Sequence, residues 1–488
     1  MALMERTNDR RKWLALVVIV AAQFMVVLDI AIVNVALPSI KSDLHFAQDD
    51  LQWVVSAYAI LFGGALLLGG RLADIFGRRR LFMAGLALFS GASLLCGLSW
   101  SEGSLIAFRA IQGLGGALLA PAALSILMTT FAEGAERNRA LGIWGAASGS
   151  GGAAGVLLGG FLTSYLSWSW VFFLNVPVGM AVIAAAPYVL GESRGGQDHR
   201  HFDLRGAATV TAGVMLLVYA MTRATTDGWL STATLGLLAV SAALIGAFVA
   251  VERRSPAPLL PLRIFRRRSL SAANATAALI GGLAFSQFFL LTLYMQRVLG
   301  YSAVETGVAF AATTLTVIVF SNVAQRMVTR LGVRVALTAG LLVDAVALSL
   351  MTQVPVDGHY FWNLFPALLL SGVGLAFSFV PVTIAGLTGV RREDAGVASG
   401  LINASRQVGG AIGLAAVTTI AANYTVAGGG PAAVDGGLTQ GYQVGFLALT
   451  AMAVAGAVIA ALLLGPQPQE AAVERLDREH ANPLEEAA

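Results

Sequence analysis

Fourteen apolar stretches, separated by short polar segments, constrain this 488-residue chain more than any other feature. A helix that crosses a bilayer needs roughly 20 mainly apolar residues. The first six stretches are Trp13–Leu37, Trp53–Gly70, Leu81–Leu98, Leu105–Phe131, Ala140–Leu166 and Trp170–Leu190. Gly206–Met221 and Thr232–Val251 follow. The last six are Leu270–Leu293, Thr306–Val328, Val335–Met351, Trp362–Leu387, Gly396–Ala422 and Tyr442–Leu464. With 57% hydrophobic and only 12% charged residues, the chain has far more apolar surface than soluble cores can bury. The reading is an all-α membrane protein with many spans. The 55 glycines fit close helix packing, where small residues let backbones approach.

The basic residues orient the spans. With the N-terminus placed in the cytoplasm, the outer segments hold only Lys41, Arg223 and Arg297. Arg109 and Arg406 fall inside spans, and the other 26 of the 31 lie on the cytoplasmic side. Such asymmetry is what the positive-inside rule requires, and it places both termini in the cytoplasm. The apolar stretch from Trp13 is too long for a signal-peptide core, so it is read as a retained first span. A net charge of +4 without a basic domain argues against a nucleic-acid partner. The single cysteine, Cys96, excludes an intrachain disulfide and reads as a small buried residue.

An internal repeat links span 4, with Gly113, Gly115 and Pro121, to span 12, with Gly372, Gly374 and Pro381. The segment Gly70 to Arg79 after span 2 has a degraded echo in Gln325 to Arg334 after span 10. Both echoes pair one span with the eighth beyond it. This predicts a six-helix bundle over 1–191 and two inserted helices with their loops over 192–268. A second six-helix bundle is predicted over 269–465, and a polar, disordered tail over 466–488.

The motifs then point to a family. Gly70-Arg-Leu-Ala-Asp74-Ile-Phe-Gly77-Arg78-Arg79 resembles the loop signature of the major facilitator superfamily. Leu105–Ala117, with Arg109, Gln112, Gly113 and Gly115, resembles its fourth-helix signature. Leu28-Asp29-Ile-Ala-Ile-Val-Asn34-Val-Ala-Leu-Pro38 is similar to the first-helix motif of its fourteen-helix drug/proton antiporter branch. Trp168-Ser-Trp170 with Asn175-Val-Pro177-Val-Gly179, and Asn403 to Gly410, resemble that branch too. Gly151, Gly155, Gly159 and Gly160 in span 5 resemble the antiporter glycine motif, with Val156 in place of its proline. Ile75 and Ser169 stand where the family usually carries basic residues.

The resemblance implies two six-helix bundles plus two inserted helices. It implies export of small amphipathic or cationic drugs in exchange for protons, with no covalent chemistry and no cofactor beyond the proton gradient. The implied partners are the small-molecule substrate, protons and the lipid bilayer, with no obligate protein partner. The arginine-rich, Ala/Gly-rich composition points to a bacterial cell membrane. Alternatives on the same fold are export of an endogenous metabolite, lipid or peptide, or proton-coupled import. A membrane sensor or an intramembrane enzyme is the alternative of another class. The enzyme reading lacks a His-Glu-x-x-His motif, and His45, His199, His201, His359 and His480 all fall in loops or the tail.

Asp29 is the sharpest functional residue. It lies roughly 24 Å along its helix from Trp13, and Arg109 lies roughly 6 Å into span 4 from the outer side. Their depths match, so an ion pair or a shared proton site is expected. Low dielectric disfavours an ionised carboxylate and a neighbouring cation favours it, which suits a carboxyl that loads and releases a proton. Asp74 and Arg78, framed by Gly70 and Gly77, read as a latch that stabilises one conformational state. Asn34, Gln112, Asn274, Gln287, Asp344, Arg406 and Gln407 are intramembrane polar residues and candidates to line a substrate cavity. Asp344 and Arg406 have similar depths, roughly 13 and 15 Å, and are expected to pair. The glycines between Gly145 and Gly160 lack a Gly-Lys-Ser/Thr ending, which disfavours a phosphate loop in favour of helix packing. Ser302-x-x-Glu305 reads as a capping box at the start of span 10.

Overall fold

The computed structural model describes residues 2–46, 51, 53–193, 203–255, 258–260, 265, 268–388, 390–391, 394–424 and 431–464. The polar tail, His199, His201 and His480 lie outside them. Fifteen α-helices account for nearly all of the described residues. In the first part of the chain these are α1 (Ala2–Leu44), α2 (Trp53–Phe76), α3 (Arg78–Gly97), α4 (Glu102–Thr130), α5 (Ala135–Tyr165), α6 (Trp170–Phe173) and α7 (Asn175–Val189). Then come α8 (Leu204–Asp227) and α9 (Thr232–Arg254). The rest are α10 (Arg268–Leu293), α11 (Ala303–Leu331), α12 (Val333–Met351), α13 (Phe365–Leu387), α14 (Ala395–Tyr424) and α15 (Pro431–Leu463). The short α6 continues through Leu174 into α7 as one span.

Each of the fourteen apolar stretches lies on a helix or helix pair. Among the described residues, twelve helices are long and apolar enough to cross a membrane, and α5, bent by 42°, makes a thirteenth if taken as one span. The one remaining stretch, Gly396–Ala422, lies on α14, whose 30 residues include Asn403, Arg406 and Gln407 and which packs between α10, α2 and α15. Polarity is tolerated there because protein rather than lipid surrounds the helix. The stretch expected at Gly206–Met221 extends to 24 residues in α8, because Asp203 caps it by accepting from Gly206 N at 2.8 Å. The capping box at α11 forms as its spacing requires. Ser302 N donates to Glu305 Oε2 at 2.8 Å, and Glu305 N donates to Ser302 Oγ at 3.2 Å.

The segment expected as a loop after span 2 is mostly helix. α2 runs through Asp74 to Phe76, and only Gly77, at φ +108°, interrupts it before α3. A left-handed backbone there is open to glycine at little cost. Gly332, at φ +84°, makes the same break between α11 and α12. The two turns lie 255 residues apart, so the degraded repeat in sequence corresponds to a repeated turn.

Two seams join the halves. α5 packs along α11, and α2 packs along α14. At the second seam Gly70 and Gly396 face each other so closely that a Cβ on either would collide with the other's carbonyl oxygen. The inserted pair flanks this seam, with α8 against α2 and α14. Trp53 stacks on Tyr219 at 5.6 Å, and Trp229 Nε1 donates to Thr419 Oγ1 at 2.7 Å. α9 turns most of its surface outward.

Candidate functional site

Asp29 lies on the inward face of α1, fully buried. Glycines of α5 bring the two helices together there. Gly151 packs on Val27, Gly155 on Leu28 and Ala31, and Gly159 on Ile32. Gly160 is buried beside them. The proposed antiporter glycines thus form the bed against which the Asp29 segment lies.

The carboxylate is held by three donors. Arg109 Nη1 donates to Oδ2 at 2.6 Å. Gln112 Nε2 donates to Oδ1 at 2.8 Å, and Asn175 Nδ2 donates to the same oxygen at 2.9 Å. Arg109 is itself fixed. Its Nε donates to Val54 O at 3.0 Å, and Nη1 also reaches Gln112 Oε1 at 2.7 Å. Its guanidinium lies 4.3 Å from the Tyr58 ring centroid and 5.7 Å from that of Phe172. Ser93 Oγ accepts from both Gln112 and Asn175 and donates to Phe172 O. Cys96, buried as expected, places its thiol 3.7 Å from Gln112 Oε1. Removing either member of such a pair would leave the other charged, buried and uncompensated.

Asn175 and Ser93 belong to this network without having been singled out as site residues. Asn175 was visible only as part of a motif. Ser93 carried no signal in an apolar stretch. Gln112, expected as a cavity candidate, is instead wholly enclosed in the network.

A second polar cluster lies at the end of the bundle where the chain begins. Asp74 and Arg78 are one helical turn apart across Gly77, both 1% exposed, with Nη2 to Oδ1 at 2.8 Å. Asp74 also accepts from Gly396 N and Val397 N, each at 3.2 Å. It thereby caps the N-terminus of α14, where unpaired amides and the helix dipole favour a negative charge. One carboxylate links α2, α3 and α14 across the seam between the halves. On the far side Arg79 N donates to Glu192 Oε1 at 3.2 Å, and Arg78 N donates to Ser193 O at 3.0 Å.

The remaining candidates are dispersed. Asn34 is exposed and donates to Ile30 O of its own helix. Asn274 donates to Leu270 O and accepts from Ser405 Oγ, joining α10 to α14. Gln287 Oε1 accepts from Ser371 Oγ at 3.2 Å, and its Nε2 is buried without an acceptor. Gln407 is half-buried, with its Cβ facing Gly63 on α2.

Asp344 and Arg406 do not pair, contrary to the sequence expectation. Arg406 donates to Asn403 on its own helix and lies over Phe379 at 5.6 Å. Asp344 packs on Gly374, with Oδ1 unpartnered. The reason is lateral placement. α12 lies against α13 and α15, whereas α14 lies against α10 and α2. Equal depth along two helices does not make them neighbours.

A bundle of membrane-spanning helices with related halves and a sealed acid–base network defines a class, that of helical membrane transporters. The chain belongs to the Major Facilitator Superfamily, whose sequence model matches residues 19–414. Its relatives lie in the drug-efflux branch. The puromycin resistance protein pur8 of Streptomyces alboniger is 38% identical over 95% of this chain and 93% of its own length. The cephamycin export protein CmcT of Amycolatopsis lactamdurans is 40% identical, covering 92% of each chain. The multidrug resistance protein Stp of Mycobacterium tuberculosis is 34% identical over 85% of this chain and 77% of its own length. Among solved structures, the human organic anion transporter MFSD10 superposes with a TM-score of 0.65 at 16% identity, covering 93% of this chain and 99% of that one. That last likeness concerns the fold alone.

Proposed function

We propose that this protein is a proton-coupled exporter of small amphipathic or cationic drugs, working by alternating access in a bacterial cell membrane with both termini in the cytoplasm. The observation that carries the coupling is the buried Asp29–Arg109 pair at 2.6 Å. An ionisable pair in the membrane is costly to maintain, and such groups mark proton and ion pathways. The export direction draws on the relatives named for resistance and export.

In this reading the two bundles and the inserted pair are the segments 1–191, 192–268 and 269–465. Asp29 carries the exchanged proton, and Arg109 is the cation that competes with that proton for the carboxylate. Proton binding weakens the ion pair and loosens α1 from α4, and proton release restores it. Asp74 and Arg78 act as the latch, because they hold the start of α14 against α2 and must part when that seam opens. The glycines of α5 allow α1 to shift without a steric barrier. Asn34 and Gln407, which retain exposed surface, are the cavity candidates best placed to meet a substrate. A narrower reading, export of an endogenous product, draws on the cephamycin export protein among the relatives.

Everted vesicles from cells expressing the chain test the proposal. An imposed pH gradient should drive uptake of labelled puromycin or another panel compound, and a protonophore should abolish it. Uptake indifferent to the gradient across the panel would remove the coupling.

A further inference from the structure

The Asp29 network is built for an ionised carboxylate, since all three of its neighbours are donors. A protonated carboxyl needs an acceptor in the same place. Arg109 has no acceptor to offer. Gln112 cannot reverse, because its Oε1 is engaged by Arg109 at 2.7 Å and faces the Cys96 thiol. Asn175 differs. Its Nδ2 serves Asp29 at 2.9 Å and Ser93 at 3.0 Å, while its Oδ1 is buried and meets no donor. Half a turn of the amide brings that idle carbonyl against Asp29.

We propose that Asn175 is a two-way partner of Asp29: it donates through Nδ2 to the carboxylate and, after its amide turns over, accepts through Oδ1 from the protonated carboxyl. This rests on the proton-carrying role proposed for Asp29. The turn exchanges an unpartnered Oδ1 for an unpartnered Nδ2 and gives up the 3.0 Å bond to Ser93, in return for accepting from the carboxyl hydroxyl. Without it, protonation would set a carboxyl hydroxyl against an N–H, and a buried hydroxyl with no acceptor weakens proton binding roughly tenfold. The other titratable or charged groups facing Asp29 are Arg109 of α4, Tyr58 of α2 and Cys96 of α3. Asn175 stands where α6 runs on through Leu174 into α7, on the side of that span that faces Asp29 and Ser93. Asn175 is a positioning residue here, with the proton carried by Asp29.

Infrared difference spectroscopy of the full-length transporter in liposomes, titrated with acid, tests this. The wild type should show a carboxyl C=O band that disappears in Asp29→Asn. In protein carrying 13C-labelled asparagine, an amide C=O band should change with the same midpoint, and Asn175→Leu should lose that change. The Asp29 carboxyl band in Asn175→Leu should move to the higher wavenumber of an unbonded acid. An Asp29 band with a silent asparagine amide in the labelled wild type overturns the amide turn and leaves the coupling role intact, a result that needs no Asn175 variant. An unchanged carboxyl frequency and midpoint in a folded Asn175→Leu overturns it as well. No Asp29-dependent band in the wild type removes both proposals.

Discussion

The two halves of the molecule repeat their backbone and diverge in their polar chemistry. Gly77 and Gly332 make equivalent turns, and Gly115 packs on the backbone of Phe89 as Gly374 packs on that of Asp344, the same close contact between neighbouring helices. These contacts align the halves residue by residue. Arg109 then corresponds to Leu368, Gln112 to Ser371, and Asp29, which meets Gln112, to Gln287, which meets Ser371. Asp74 corresponds to Thr329 and Arg78 to Val333. The first half holds an ion pair with every oxygen of Asp29 engaged. The second holds a neutral contact with Gln287 Nε2 and Asp344 Oδ1 unpartnered. At the matched positions the ion pair therefore belongs to one half alone, while Asp344 and Arg406 of the other half are buried apart from each other.

The most damaging test of this asymmetry is Asp29→Asn. It should abolish pH-gradient-driven transport in vesicles, because the amide has no proton to exchange; its NH2 also meets a donor and Arg109 loses its counter-charge, so a lowered unfolding midpoint accompanies the loss. Gradient-driven rates equal to wild type would remove the special status of the first half. Next comes Arg109→Leu, which installs the residue of the other half. It strips Asp29 of its cation and should cost about 3–5 kcal/mol, read as a lowered unfolding midpoint in detergent. Adding Asp29→Asn to it should recover part of that loss.

Asp74→Asn removes the charge from the hydrogen bonds to Arg78, Gly396 and Val397. About 1.5–3 kcal/mol should leave the joined state, seen as increased spin-label distances between α2 and α14. Distances identical to wild type would show that the seam holds without the carboxylate. In the second half, Gln287→Leu should change stability by less than about 1 kcal/mol, because one end of its amide is already unpartnered. The smallest effect concerns Asp344 and Arg406. Their double neutral variant should be additive within about 0.5 kcal/mol in a thermal-unfolding cycle. A larger coupling energy would restore the pair that the structure separates.

The spans were legible because apolar length is a one-dimensional property, and so was the Asp29–Arg109 contact, where depth and family motif coincide. What lay beyond reach was lateral. Depth alone matched Asp344 with Arg406, but nothing local records that α12 and α14 occupy different flanks. The partners of Asp74, Gly396 N and Val397 N, are backbone groups more than 300 residues away and have no side-chain signature. Asn175 stood within a recognised motif, yet its chemistry depends on one unpaired oxygen that only packing reveals. The run from Arg71 to Phe76 read as a loop from its charges, and it remains helical because Arg78 and the amides of α14 neutralise Asp74.

The contact between Gly70 and Gly396 has a consequence for speed. Where two helices meet through backbone alone, no side chains interlock and none must change rotamer for the surfaces to separate. Such a joint is held by close van der Waals contact between backbones, without rotamer rearrangement on either side. The polar hold next to that contact is one carboxylate on two amides, those of Gly396 and Val397. Any methyl group added at either glycine would act as a wedge between the two backbones.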